Sequence, residues 1–273
     1  ARKRASKAPS GGAKMTRRIV ALTLFITHSL LKERANYLLL FFAALSAALA
    51  LSISHVDIAL RFKLFEDLLL SSQNLLLLIA TLFYTFTLLQ KERDMGLFMI
   101  PLSLGVSRFE YEVALFKSIA TIIFALFAVF FAFDIVLLYG VEGEVRWAIL
   151  LQLLLYSLGS IMLGFSIITI SRFVSVMNAS LYGVVLYLIG NALDELIVYA
   201  AKSGDSWFMT LSNILYVLLP NYSLFDIQSL VVNNLEVDSV MVWKVLGYFV
   251  FYSYFLVFIS FMRFAKKALK VGH

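Results

Sequence analysis

The sequence predicts an all-α polytopic membrane protein with six transmembrane helices. An amphipathic interfacial helix precedes the first span, and a cytoplasmic coupling helix lies between spans 2 and 3. A short re-entrant or interfacial helix lies between spans 5 and 6, and both termini are cytoplasmic. Three observations carry this. The 273 residues are 62% hydrophobic and 15% charged, against roughly 45–50% and ~25% in soluble domains. Apolar runs of spanning length alternate with short charged stretches. The lysines and arginines gather on alternate connections, so the net charge of +6 reads as a topology signal and not as a nucleic-acid footprint.

Residues 1–14 are basic and rich in Ser, Gly and Pro. They are set aside as either a disordered native tail or residues ahead of a native start at Met15, leaving 15–273 as a single membrane domain. Ile19 to Leu31, flanked by Arg17-Arg18 and Lys32-Glu33-Arg34, reaches only ~20 Å as a helix, too short for a ~30 Å core. It is expected along the cytoplasmic surface. Tyr37 to Ile53 forms the first span, and 54–73, holding Asp57, Arg61, Lys63, Glu66 and Asp67, an external connection. Asn74 to Leu89 is the second span, Ser118 to Tyr139 the third and Trp147 to Ile170 the fourth, rich in small residues. A tight turn at Ser171-Arg172 leads to the fifth, Met177 to Ala200. Trp207 to Leu219, closed by Pro220-Asn221, is too short to cross. Met241 to Met262 is the sixth span.

Charge sets the orientation. From Met15 onward the inner pieces hold thirteen Lys/Arg: four in 15–36, four in 91–117, Arg172 and four in the tail from Arg263. The outer pieces hold five: Arg61, Lys63, Arg146, Lys202 and Lys244. Trp147, Trp207 and Trp243 fall at outer span edges, where an aromatic belt would put them. Cysteine is absent and the three histidines are scattered, so neither disulfides nor a metal cluster are expected.

One polar interruption, 90–117, stands between two spans. It opens on Lys91-Glu92-Arg93-Asp94 and is broken by Gly96 and Pro101. Val106, Phe109, Val113 and Phe116 then recur at helical spacing with Arg108, Glu110 and Glu112 between them. That pattern fits a docking helix, or a plain connection whose short helix lies in the headgroups. Glu92 and Arg93 are expected at the membrane edge, paired with each other or neighbouring helices, or as a positive-inside anchor. Inside the spans, Asp134 lies near the outer end of the third. Asn191, Asp194 and Glu195 lie in the outer half of the fifth, with Asn191 sharing a helix face with either carboxylate. They read as the lining of an outer vestibule, or as groups near the headgroup boundary where a carboxylate is cheap.

Glu92-Arg93 with Gly96, Gly105-Val106-Ser107-Arg108, Tyr111 and Lys117 form one patch; Leu219-Pro220-Asn221 with Phe225-Asp226 form another. With the amphipathic helix before the first span, they resemble the permease subunit of the ABC transporter type-2 (ABC-2) family. Gly105 stands where many members have proline. The resemblance implies an exporter or lipid/amphiphile translocase of a bacterial or archaeal inner membrane, acting with a second permease copy or homologue. It also implies a separate ATP-binding subunit carrying ATP and Mg, docked on Arg108, Phe109, Glu110, Glu112 and Val113. The chain itself has no GxxxxGK[ST] stretch to cradle phosphates and needs no cofactor. A secondary transporter would instead call for buried charged pairs or broken helices at the midplane. A non-transporting scaffold coupled to an ATPase is the third possibility.

Overall fold

The computed structural model describes residues 11–33, 37, 41, 44, 48, 58–94, 105–142 and 146–269. Among them there is helix and no strand: α1 (Gly11–Leu31), α2 (Ile58–Asp94), α3 (Arg108–Glu142), α4 (Trp147–Ser171) and α5 (Val176–Ser203). After these come α6 (Ser206–Leu218), a 3-10 turn at Ser223–Phe225, α7 (Gln228–Val232) and α8 (Ser239–Leu269). Five helices, α2 to α5 and α8, are long and apolar enough to cross a membrane, or six if the bent pair Ser206–Leu218 and Ser223–Val232 counts as one span. The predicted first span, 37–53, lies largely outside the described residues, as do Gly96 and Pro101 of the polar interruption.

α4 is the centre of the bundle. It is almost wholly buried, whereas α3, α5 and α8 leave most of their apolar surface outward, as helices do whose other solvent is lipid. Its small residues explain the position, because in hydrocarbon close backbone approach replaces the hydrophobic drive. Gly159 lies under the Phe225 ring, and Gly164 lies against Ile119 of α3 and Thr85 and Thr81 of α2. α1 packs along α3 by one face, with Ile19, Thr23, Ile26 and Leu30 buried, and turns the equally apolar Val20, Leu24 and Phe25 outward. Local chemistry sets the joints. Ser175 caps α5 by accepting from the Asn178 amide, Gly204 at φ 70° ends it, and Asp205 caps α6 through the Trp207 amide.

Three expectations are corrected. Residues 58–73 are not a separate connection but the first turns of α2, whose 37 residues reach ~55 Å. The segment from Arg108 is not a freestanding helix between spans; it runs unbroken into the third span as α3. α1 begins at Gly11, within the stretch set aside as a tail. Hydropathy missed the first two because charge near a helix end interrupts an apolar run without interrupting the helix.

The polar side chains inside the bundle form two layers. Glu92, Glu112 and Arg172 meet at one end; Gln73 meets Asp134, and Gln152 meets Asp226, at the other. Counting along the helices, Gln73 to Glu92, Glu112 to Asp134 and Gln152 to Arg172 span ~28, ~33 and ~30 Å at 1.5 Å per residue. That separation matches the ~30 Å hydrocarbon core.

At the Asp134 end, the chain between α6 and α8 is pinned down by short side chains. Asp194 accepts from Asn221 Nδ2 (2.9 Å) and from the Ser223 hydroxyl, and the Asn221 amide donates to Tyr248 Oη (2.8 Å). Gln152 donates to Asp226 Oδ1 and accepts from the Ile227 amide at 2.7 Å. Farther out, Arg146 binds Glu66, Asn234 and the Val231 carbonyl. The approach needs Gly190: a Cβ there would stand 2.3 Å from the Pro220 carbonyl oxygen and 2.5 Å from the Tyr222 ring. Gly190→Ala is therefore expected to cost about 1–3 kcal/mol, read as a lower melting temperature in detergent. Gly247→Ala, with no atom within 4 Å of its Cβ, should stay within about 0.5 kcal/mol of the parent or gain slightly.

Candidate functional site

The Arg172 end holds the densest buried charge among the described residues. Arg172 sits in the short turn between α4 and α5, where two apolar helices reverse and a single long cation can reach back under the bundle. Its Nη1 donates to both Glu92 oxygens at 2.9 and 3.1 Å. Its Nε and Nη2 donate to Glu112 Oε1 at 3.1 Å and Oε2 at 2.9 Å. The Ser260 hydroxyl of α8 donates to the same Glu112 Oε1. The guanidinium lies over the Phe264 ring, 5.1 Å from its centroid, and that ring stacks on Tyr111. One cation thus ties the ends of α2, α3 and the α4–α5 turn, and α8 joins through a hydroxyl and a ring.

The electrostatics are unequal. Arg172 is 10% exposed, Glu92 8% and Glu112 0%, so neither carboxylate has water in place of its partner. Burial pushes the guanidinium's pKa down, but the Glu92 and Glu112 charges outweigh this and lift it above its ordinary value. Two carboxylates against one cation leave the cluster one negative charge in excess, offset in part by the Ser260 donor. The planar fork suits this job, because it meets two carboxylates side by side with hydrogen bonds to spare.

A second tier surrounds the cluster. Lys91 of α2 pairs with Glu33 and donates to the Ser29 carbonyl at 3.0 Å, holding the end of α1. Arg18 donates to the Gly105 carbonyl at 3.0 Å, where the backbone takes φ +75° just ahead of α3. The Ser118 hydroxyl bonds Ala114 O at 2.7 Å and reaches Thr23 O of α1 at 3.4 Å.

The five residues read as a docking face are divided by this geometry. Arg108 and Phe109 face outward, Phe109 resting edge-on against Phe261. Glu110 does not: it is buried, its Oε2 accepts from the Ser107 amide at 2.7 Å, and the Ser107 hydroxyl accepts from the Glu110 amide at 3.2 Å. Ser107-x-x-Glu110 is a capping box that starts α3. Glu112 is the interior anchor described above, and Val113 is half-buried. Glu92 and Arg93 do not pair with each other; Glu92 turns in to Arg172 and Arg93 is exposed.

The residues read as a vestibule lining are likewise separated. Asp134 is fully buried against Gln73. Asn191 is satisfied within its own helix by the Tyr187 carbonyl at 2.9 Å, Asp194 holds the 221–223 turn, and Glu195 is exposed. Three residues singled out for the second sequence patch have structural tasks here: Asn221 and Asp226 pin the turn, and Phe225 fills the space above Gly159. Arg172 and Ser260 went unread as partners. The available signal was a lone arginine in a turn between two apolar runs, with two glutamates at the ends of other runs.

Comparison with models of known protein families gives no match for this chain, and comparison with curated proteins gives none either.

Removing Arg172 strands two buried carboxylates. Arg172→Met is expected to cost about 3–5 kcal/mol, seen as lost monodispersity or a lowered melting temperature in detergent. Arg172→Lys should recover less than half of that, because an ammonium cannot serve both carboxylates in one plane. Combining Arg172→Met with Glu92→Gln and Glu112→Gln should restore much of the stability, since no unpaired charge then remains.

Proposed function

We propose that the chain is the permease subunit of an ATP-driven transporter, an exporter or lipid/amphiphile translocase. It takes its drive from a separate ATP-binding subunit that docks at the Arg172 end. The observation that carries this reading is the position of the buried charge cluster relative to the exposed start of α3. Arg108 and Phe109 face outward at the first turn; one turn farther along the same helix, Glu112 grips Arg172 and through it α2 and the α4–α5 turn. A force applied at Arg108 and Phe109 would be carried by a continuous 35-residue helix and shared among the other helix ends, because a close-packed interior has low compressibility and transmits strain.

On this reading the docking surface narrows to Arg108, Phe109 and the chain just before them. Glu112 and Glu92 transmit force instead of touching the partner, and Glu110 keeps the first turn wound. ATP and Mg belong to the partner chain. The apolar outward faces of α5 and α8 meet lipid and a second permease copy. The similarity of the 92–117 and 219–226 patches to ABC-2 permeases supports the same direction, as does the charge bias that would place this end in the cytoplasm of a bacterium or archaeon.

The test is purification of the tagged chain from its native membranes, followed by identification of what elutes with it. An ATPase bearing a phosphate-binding glycine-rich loop is expected in stoichiometric amount. The double variant Arg108→Glu with Phe109→Ala should reduce its recovery at least tenfold while the permease elutes as before. Equal recovery would remove the docking assignment, and absence of any ATPase from the parent would remove the transporter reading itself.

A further inference from the structure

Asp134 of α3 and Gln73 of α2 form a pair with one hydrogen missing. Gln73 Nε2 donates to Asp134 Oδ1, and both side chains are sealed from solvent, at 2% and 0% exposure. The two atoms left over, Asp134 Oδ2 and Gln73 Oε1, are both buried and both lack a hydrogen-bond partner. Both are acceptors. An ionised carboxylate facing an amide would leave two oxygens with no donor, each costing of order 1–3 kcal/mol, besides the larger cost of an unpaired charge.

Among the described residues no cation relieves that charge. The ion pairs among the described residues engage Glu33, Glu66, Glu92 and Glu112, and none reaches Asp134. The titratable side chains described on the neighbouring elements are committed elsewhere or exposed. On α2, Glu66 is held by Arg146, Asp67 by Gln228, and Lys63 by Asn233. On α4, Tyr156 bonds Tyr187; on α8, Tyr248 and Tyr252 bond the backbone at 221 and 218, and Lys244 is exposed. α1 meets α3 near Ser118, at the other end of the helix.

We propose that Asp134 is a resident proton-binding site, holding one proton on Oδ2 and closing with it a carboxylic acid–carboxamide pair to Gln73. The single added proton supplies the one donor that the pair lacks, Oδ2–H to Oε1, and removes the buried charge at the same time. With no titratable neighbour to receive it among the described residues, the proton is stored and not relayed. The pair is then a neutral clasp between α2 and α3, opposite the charged clasp at Arg172.

Infrared spectroscopy of the full chain in detergent at pH 8, with aspartate carboxyls labelled with carbon-13, tests this without any variant. Carboxylates in water are ionised at that pH, so a carboxylic-acid carbonyl band that moves with the label and shifts in heavy water is the expected result. Asp134→Asn, nearly isosteric and able to keep the amide contact, should delete that band and fold as well as the parent. Gln73→Leu should keep the band and move it to higher frequency, because its carbonyl loses the Nε2–H donor. A labelled chain with no such band at pH 8 overturns the proposal, as does a band that survives in Asp134→Asn.

Discussion

Arg172 is the constraint on which the bundle depends. A guanidinium placed in a turn between two apolar helices has to be neutralised from outside its own hairpin, and the carboxylates that do so come from α2 and α3. Neither could be buried without it, since an unpaired carboxylate at that depth costs several kcal/mol. The cluster therefore fixes the relative height of three helix ends at once. Packing alone would not, because an apolar helix can slide against another at small cost.

The two ends of the bundle use opposite solutions to the same problem. At one, charge is kept, and two carboxylates share the donors of a single guanidinium. At the other, amides and short carboxylates divide their hydrogen bonds so finely that the 219–228 chain is held by Asp194, Gln152 and Tyr248 together. Between them lie hydroxyls that bond their own helix, such as Thr81, Ser157 and Ser166 to carbonyls four residues back, whereas the buried Thr85 hydroxyl of α2 has no partner among the described residues. These self-satisfied hydroxyls let α4 be small-surfaced without leaving a donor bare.

Much of the fold was legible because lipid imposes it. A helix that must face hydrocarbon advertises itself by twenty apolar residues, and the five described spans overlap the runs read from Asn74, Ser118, Trp147, Met177 and Met241. The candidate site was not legible in the same way. Glu92 meets Arg172 across 80 residues of sequence, and Glu112 meets Ser260 across 148; no periodicity encodes such a pair. Glu110 shows the reverse case. Its capping partner is three residues away at Ser107, readable from the sequence, yet its place on an amphipathic pattern made it look like a docking charge.

Chain order gives the arginine turn a further meaning. Glu92 and Glu112 are synthesised well before residue 172 emerges, and Ser260 long after. During synthesis Glu92 and Glu112 therefore wait for the cation that joins them, which arrives only with the α4–α5 turn. A polypeptide cut short before that turn would therefore lack the cation that joins the ends of α2 and α3.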